Sequence, residues 1–313
     1  MLTDIAVRDT SQIRNRHLDV TGAITITRHL AISGAEQGGT GPLGKNVAVR
    51  KLVIGLVSVV AAVAVAAVGA DFVAAIYAEY RLARAIREES KLSFDPWVGI
   101  IGFPFVTQAR DRRYEQIEIR ANGVDHPVAG KASYEATLYS VDVPTDSWLI
   151  GADTKLPVGK VESRIIIDST HLGRFMGIPD LLVEQPLKEA NNATGGTTES
   201  GISGNKGLVF TGTPKAAGFD KKVSVSVDLS VAGPDRTTLV FTPTDVLTGA
   251  GTADEAVPDD KTAAVLAEFT TRLPGLTLPF GIPPTSEGAR GSDVIIEGIA
   301  EGVTVTLNEF TQP

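Results

Sequence analysis

The 313 residues are 43% apolar and 21% charged, ordinary for a folded chain and enough for one sizeable or two small units beside a membrane segment. With no cysteine, disulfide staples and thiolate metal sites or nucleophiles are excluded, while the redox compartment stays open. The net charge of −8 is distributed as +3 over residues 1–51 and −11 over the remainder, and no basic cluster with interleaved aromatics occurs, so no nucleic-acid partner is expected.

Residues 1–46 are polar and of mixed charge, with one alternating stretch, Ala23-Ile24-Thr25-Ile26-Thr27, and a glycine-rich end, and are expected to form a mostly disordered cytoplasmic tail. Residues 47–70 read as a transmembrane helix. From Leu52 to Ala70 there is no charge and Ser58 is the only hydroxyl. Those 19 residues would reach roughly 28 Å as a helix, close to the ~30 Å hydrocarbon core. Lys45, Arg50 and Lys51 precede the run and Asp71 follows it, so the positive-inside rule places the N-terminus in the cytoplasm and the rest outside. The competing reading is a signal peptide cleaved near Val68-Gly69-Ala70, which would give a secreted product. The long polar segment before the run and the length of the run itself favour the anchor.

Residues 71–91 predict an amphipathic stem helix, with Phe72, Ile76, Tyr80, Ala83 and Ile86 on the face that would cover a sheet. Pro96 ends it. Residues 92–313 then form an extracytoplasmic domain in which the hydrophobic period changes to two. Ile117/Ile119, Val141/Val143, 161–167, 223–231, 294–299 and 303–307 read as strands, the last two as a pair. In the clearest, Val223, Val225, Val227, Leu229 and Val231 alternate with Ser224, Ser226, Asp228 and Ser230, which fits an antiparallel sheet with one buried face. Asp168 or Ser169 can cap a short helix through Met176, and Asp260 precedes a helix over 262–273. Residues 188–207 have the composition of a flexible loop that divides two halves. The expected fold class is α+β: a curved antiparallel sheet packed with helices around an apolar groove, preceded by one transmembrane helix.

Catalytic signatures fail on context. Gly39 to Lys45 imitates a phosphate loop, but Asn46 stands where Ser or Thr must reach the magnesium, and a membrane run follows. No G-x-S-x-G elbow occurs. His17, His29, His126 and His171 lack ligand spacing, so neither metal nor cofactor is expected. The carboxylate pairs Asp142/Asp146 and Asp259/Asp260 suit turns and helix caps as well as acid–base work, so no enzyme activity is expected. Asn192-Ala193-Thr194 is a glycosylation sequon in the glycine-rich loop. The distinctive stretch is Gly102-Phe103-Pro104-Phe105-Val106-Thr107-Gln108, followed by Arg110, Arg112 and Arg113. Phe103 and Phe105 either line the mouth of an apolar groove, with the arginines offering donors to phosphate at its rim, or belong to a bent edge strand beside a solvated basic turn.

These residues carry a resemblance. Leu92-Ser93-Phe94-Asp95-Pro96, the Gly102–Gln108 core and Tyr114 through Ile117-Glu118-Ile119 resemble the LmeA family of phospholipid-binding proteins of actinobacterial cell envelopes, with a looser likeness over 167–172 and 303–305. The resemblance implies a curved sheet and helices enclosing an elongated apolar cavity. It also implies binding of phospholipids, including phosphatidylinositol-type lipids, and a supporting role in lipomannan or envelope maturation; it supplies no catalytic residues. The expected site is Phe103, Phe105 and Val106 for acyl contact, Val225, Val227 and Leu229 for the wall, and Arg110, Arg112 and Arg113 for the headgroup. The alternative is an interaction module that recruits an envelope enzyme, such as a glycosyltransferase. A hydrolase or transferase built on Asp142 or Asp146 is the least supported.

Overall fold

The computed structural model describes residues 44–144, 147–151, 154–185, 207–249, 251–253 and 255–311. The alternating stretch at 23–27, His17, His29, Asp146 and nearly all of the 188–207 loop therefore lie outside the described residues.

Helix α1, Gly44–Glu89, runs for 46 residues, about 69 Å at ~1.5 Å each. It contains no proline. It ends where Lys91 takes a left-handed conformation, φ 55°, ahead of Pro96. The helix is long and apolar enough to cross a membrane, and its apolar run is exposed among the described residues. Beyond it the buried stripe is Asp71, Ala78, Leu82 and Ile86 with Ala83 beside it: of the expected face Ala83 and Ile86 are buried, while Phe72, Ile76 and Tyr80 stay exposed. The correction has a physical cause. The carboxylates of Asp71 and Glu79 bind the Phe105, Val106 and Ile100 amides and so fix which side of the helix faces the folded part.

Six antiparallel strands form the first sheet in the order β1-β2-β3-β4-β11-β10, curled into a half-barrel: β1 Trp97–Ile101, β2 Arg113–His126, β3 Gly130–Asp142, β4 Leu156–Asp168, β10 Ser286–Arg290 and β11 Asp293–Val305. Its inner face carries the register rows Ile117–Leu138–Val161–Ala300 and Ile119–Ala136–Ser163–Gly298. This face is filled by the chain itself. Leu278, Phe280 and Ile282 are buried around the 3-10 turn Pro279–Gly281, which packs on β3 and β4, and Ser163 Oγ donates to the Pro279 carbonyl at 2.9 Å. At Gly298 an added Cβ would sit 2.5 Å from the Pro283 carbonyl oxygen, so the lining segment crosses where the sheet has no side chain. Leu307 and Phe310 complete the plug, and Ser90 Oγ donates to the Leu307 carbonyl at 3.0 Å. On the outer face, buried Glu297 accepts from Arg164 at 2.6 Å, and Arg164 donates onward to Glu162 at 2.9 Å, so these charges are paired where burial would otherwise penalise them.

The second sheet, β5-β6-β7-β8-β9, comprises β5 Leu182–Glu184, β6 Gly207–Gly212, β7 Val223–Ala232, β8 Thr238–Leu247 and β9 Thr271–Leu273. Val225, Val227 and Leu229 of β7 are fully buried with Phe210 and Phe241, whose rings lie 5.4 Å apart. Helix α4, Asp259–Phe269, lies on β8 and contributes buried Val265 and Phe269. The expected helix over 262–273 is thus shorter: it stops at Phe269 and Leu273 joins β9. The expected pair of strands at the C-terminal end is one strand, β11, because Gly302 at φ 62° bends it without ending its pairing with β4. Nor do two sequential halves form, since β10 and β11 return to the first sheet. Helix α3, Ser169–Met176, is where expected, with Asp168 as its cap accepting from the His171 amide at 2.9 Å.

Candidate functional site

The Gly102–Gln108 stretch does not continue as a bent strand. After β1 the chain turns through Gly102, φ 123°, and cis-Pro104 into a short helix, α2, Phe105–Asp111. Pro104 at the cap position has no side chain to satisfy the first amides. Asp71, the first charge after the apolar run of α1, does so instead: its carboxylate accepts from Phe105 N at 2.9 Å and Val106 N at 2.7 Å. About two turns later Glu79 accepts from Ile100 N on edge strand β1 at 2.9 Å. The carboxyl end of α2 is closed by Arg112 in the left-handed conformation, φ 55°, and Gln108 Oε1 accepts from Glu115 N at 2.8 Å to tie the helix to β2.

Phe105 points inward, 2% exposed, and packs on Tyr114 (6.0 Å between ring centres) and edge-on against Trp148 (5.9 Å). The Tyr114 hydroxyl donates to the Trp148 carbonyl at 2.5 Å and so holds the 147–151 segment beside α1, where Trp148 meets Tyr77 at 6.5 Å. Burial pushes the Tyr114 hydroxyl up to about 12, so it remains a donor throughout the neutral range.

Two clefts flank the Trp148–Tyr77 contact. The first, about 290 Å³, is lined by Ala74, Phe105, Val106, Ala109, Arg110 and Trp148 and is almost wholly apolar. The second, about 750 Å³, lies further along α1 and is bounded by Tyr77, Tyr80, Arg81, Arg84, Leu149 and Ile150 among others. Arg84 donates to the Tyr80 hydroxyl at 3.0 Å, which raises the guanidinium pKa further, and also reaches Glu88 at 3.8 Å. Arg81 is exposed and has no hydrogen-bond or ion-pair partner among the described residues. The site therefore offers a dry end and a cationic end along one helix.

The expected site residues divide. Phe105, Val106 and Arg110 line the apolar cleft, with Phe103 and Arg112 at either end of α2. Phe103 is 62% exposed and stacks on Phe72 at 6.2 Å, outside both clefts. Arg113 is held at 2.7 and 3.2 Å by Asp142, which also removes that carboxylate from acid–base work and lowers its pKa through the Arg113 hydrogen bond. Val225, Val227 and Leu229 belong to the second sheet, four strands of the first sheet away from α2 and under α4, and share neither cleft. Arg81, Arg84, Tyr77, Trp148 and Asp71 escaped the sequence reading. The arginines read as a wet helix face, and only the coincidence of Tyr80 and Arg84 at i, i+4 hinted at more. His126 is structural: its ring accepts from the Val128 and Ala129 amides at 3.2 and 2.9 Å and faces the Gly275 carbonyl at 3.0 Å.

A family model described as LmeA-like phospholipid-binding matches residues 69–299, more than two thirds of the chain. The chain belongs to this family. No curated protein and no solved structure gives a match. The family's match starts at the end of the apolar run and takes in α2, both sheets and both clefts, so a phospholipid is the ligand class against which the clefts are read.

Proposed function

We propose that the protein binds one phospholipid along the exposed side of α1, as a non-catalytic carrier or accessory factor, with the acyl chains against Phe105, Val106, Ala109 and Trp148 and the headgroup phosphate at Arg81 and Arg84. The observation that carries this is the order of the two clefts. The apolar one lies nearer the apolar run and the cationic one further out, the same order as chains and headgroup in the monolayer that a spanning helix would leave. Ala74 to Arg84 is ten residues, roughly 15 Å of helix. A lipid could move up α1 without inverting. Each methylene withdrawn from water contributes about 0.8 kcal/mol, so a partly sequestered chain is held by several kcal/mol, and the larger cleft is within the ~300–1,000 Å³ of small-molecule sites. Arg112 would assist at the rim; Arg113 is committed to Asp142.

In this reading α1 spans the membrane with residues 1–46 cytoplasmic, and the folded part works outside, in envelope lipid or lipoglycan maturation such as that of lipomannan. Phosphatidylinositol-type lipids suit the two arginines and the tyrosine hydroxyls, and envelope glycosyltransferases are the fitting protein partners. One observation favours the second reading, an interaction module: the half-barrel is plugged by residues 278–282 and 307–310, and the Val225–Leu229 wall is buried within the protein, so neither sheet needs a lipid to complete it. The two separate on one experiment. The full chain is moved from membranes into lipid-free amphipol and bound phospholipid is counted per chain by mass spectrometry. The carrier reading expects about one retained lipid, lost in Trp148→Asp and weakened for anionic lipids in Arg81→Glu. A fully folded chain without lipid, and without uptake of added phosphatidylinositol, supports the module instead.

A further inference from the structure

We infer that the tip formed by the β1–α2 turn and the adjoining turn of α1 is a bilayer-docking surface that seats in the lipid monolayer, beside the apolar cleft and extending beyond it through Phe103. Phe72, Ile101, Phe103 and Val106 are 57%, 44%, 62% and 54% exposed around the β1–α2 turn, where the Phe72 and Phe103 rings stack. Apolar patches of this kind on a folded surface mark a partner.

The partner follows from position. The charge-free run ends at Ala70, and Phe72 is two residues on, about 3 Å along the helix. Asp71 binds the amides of Phe105 and Val106, so the start of α2 is fixed at the same level. When the run occupies the hydrocarbon core, Phe103 and Val106 are carried into the interface, the layer where aromatic side chains partition best. Arg110, 77% exposed at its side chain, stands on the next turn of α2 and is paired with Asp111 at 3.0 Å through Nε, which leaves its terminal nitrogens to face lipid phosphates. The exposed surface of α1 ahead of Asp71 is itself apolar, so the patch continues a lipid-facing surface. The inference rests on α1 spanning the bilayer. Val106 and Arg110 also line the apolar cleft, whereas Phe103 lines neither cleft, so Phe103 is the position that separates docking from cargo binding.

The absence of native cysteine makes the test direct. Single cysteines are placed in the full chain at Leu56, Phe103, Val106 and, as an exposed control, Asp235, then spin-labelled and reconstituted at one copy per nanodisc of phosphatidylcholine and phosphatidylglycerol. The ratio of oxygen to nickel-chelate collisions reports depth. Docking predicts ratios at Phe103→Cys and Val106→Cys several-fold above Asp235→Cys, approaching that of Leu56→Cys. If Leu56→Cys reads as buried while both tip labels read as the control does, the docking surface is overturned and the span stands. If Leu56→Cys also reads as water, the span itself fails and takes docking with it. Tip protection that appears only with two copies per disc identifies a second chain as the occupant and overturns the lipid assignment.

Discussion

Replacing Asp71 with alanine removes the only side chain that satisfies the first amides of α2. The carboxylate is buried and makes two short bonds, 2.9 and 2.7 Å, to Phe105 N and Val106 N. Loss of a helix cap costs about 0.5–2 kcal/mol and a hydrogen bond to a charged group is worth about 1.5–3, so losing both while stranding two amides should weaken α2 by roughly 2–4 kcal/mol. At ~1.4 kcal/mol per decade, local opening becomes about 30- to 1,000-fold more frequent. Hydrogen exchange at the amides of residues 105–111 in the full chain reads this directly, with β7 as the internal control. Asp71→Asn, which retains one acceptor, should recover about half of the loss on the same scale. Unchanged protection in Asp71→Ala would refute the claim that this carboxylate fastens α2 to α1.

Other substitutions probe the remaining joints. Phe105→Ala should cost about 3–5 kcal/mol in chemical denaturation, as a fully buried aromatic does, whereas exposed Phe103→Ala should change stability by less than about 0.5. Gly298→Ala drives a methyl to within 2.5 Å of the Pro283 carbonyl and should lower the melting temperature through overpacking of about 1–3 kcal/mol. Tyr114 binds its proton more tightly folded than unfolded, so its contribution is complete below its unfolded value near ~10 and is lost as pH rises through about 12. Alkaline melts should therefore fall more steeply for the native chain than for Tyr114→Phe, and parallel curves would count against a buried hydroxyl.

How legible the chain was depends on what kind of physics fixed each part. The β7 pattern and the Asp168 cap were read correctly because each is local: period-two burial and a carboxylate three residues from its amide. The apolar run was legible for the same reason. The α1 stem was read in part: Ala83 and Ile86 are buried as expected, but Phe72, Ile76 and Tyr80 are not, because Asp71 and Glu79 bind distant amides of Phe105, Val106 and Ile100 and turn the Ala78–Leu82–Ile86 side inward. α2 was missed because its cap comes from Asp71, 34 residues away, and no window around Phe105 contains it. β10 was missed for a related reason: Ser286–Arg290 carries no strand-like alternation and owes its conformation to pairing with β11. Of the candidate site, the Phe105–Arg110 lining of the apolar cleft lies in a stretch that its motif singled out. The Arg81–Arg84 lining of the larger cleft was not legible, because that cleft exists only where Tyr114 holds Trp148 and the 147–151 segment beside α1.

The central claim is that lipid lies along α1 between α2 and Trp148, and photocrosslinking tests it most directly. A phosphatidylinositol bearing a diazirine near the end of one acyl chain is supplied to the full chain in membranes, and the crosslinked peptides are mapped. The account predicts adducts in residues 105–110 and 147–151 in addition to those on the apolar run, with the domain adducts falling about tenfold in the Arg81→Glu, Arg84→Glu double variant, the loss expected for roughly 1.4 kcal/mol of headgroup binding. Adducts confined to the apolar run, or appearing instead on β7 at Val225–Leu229, would contradict it.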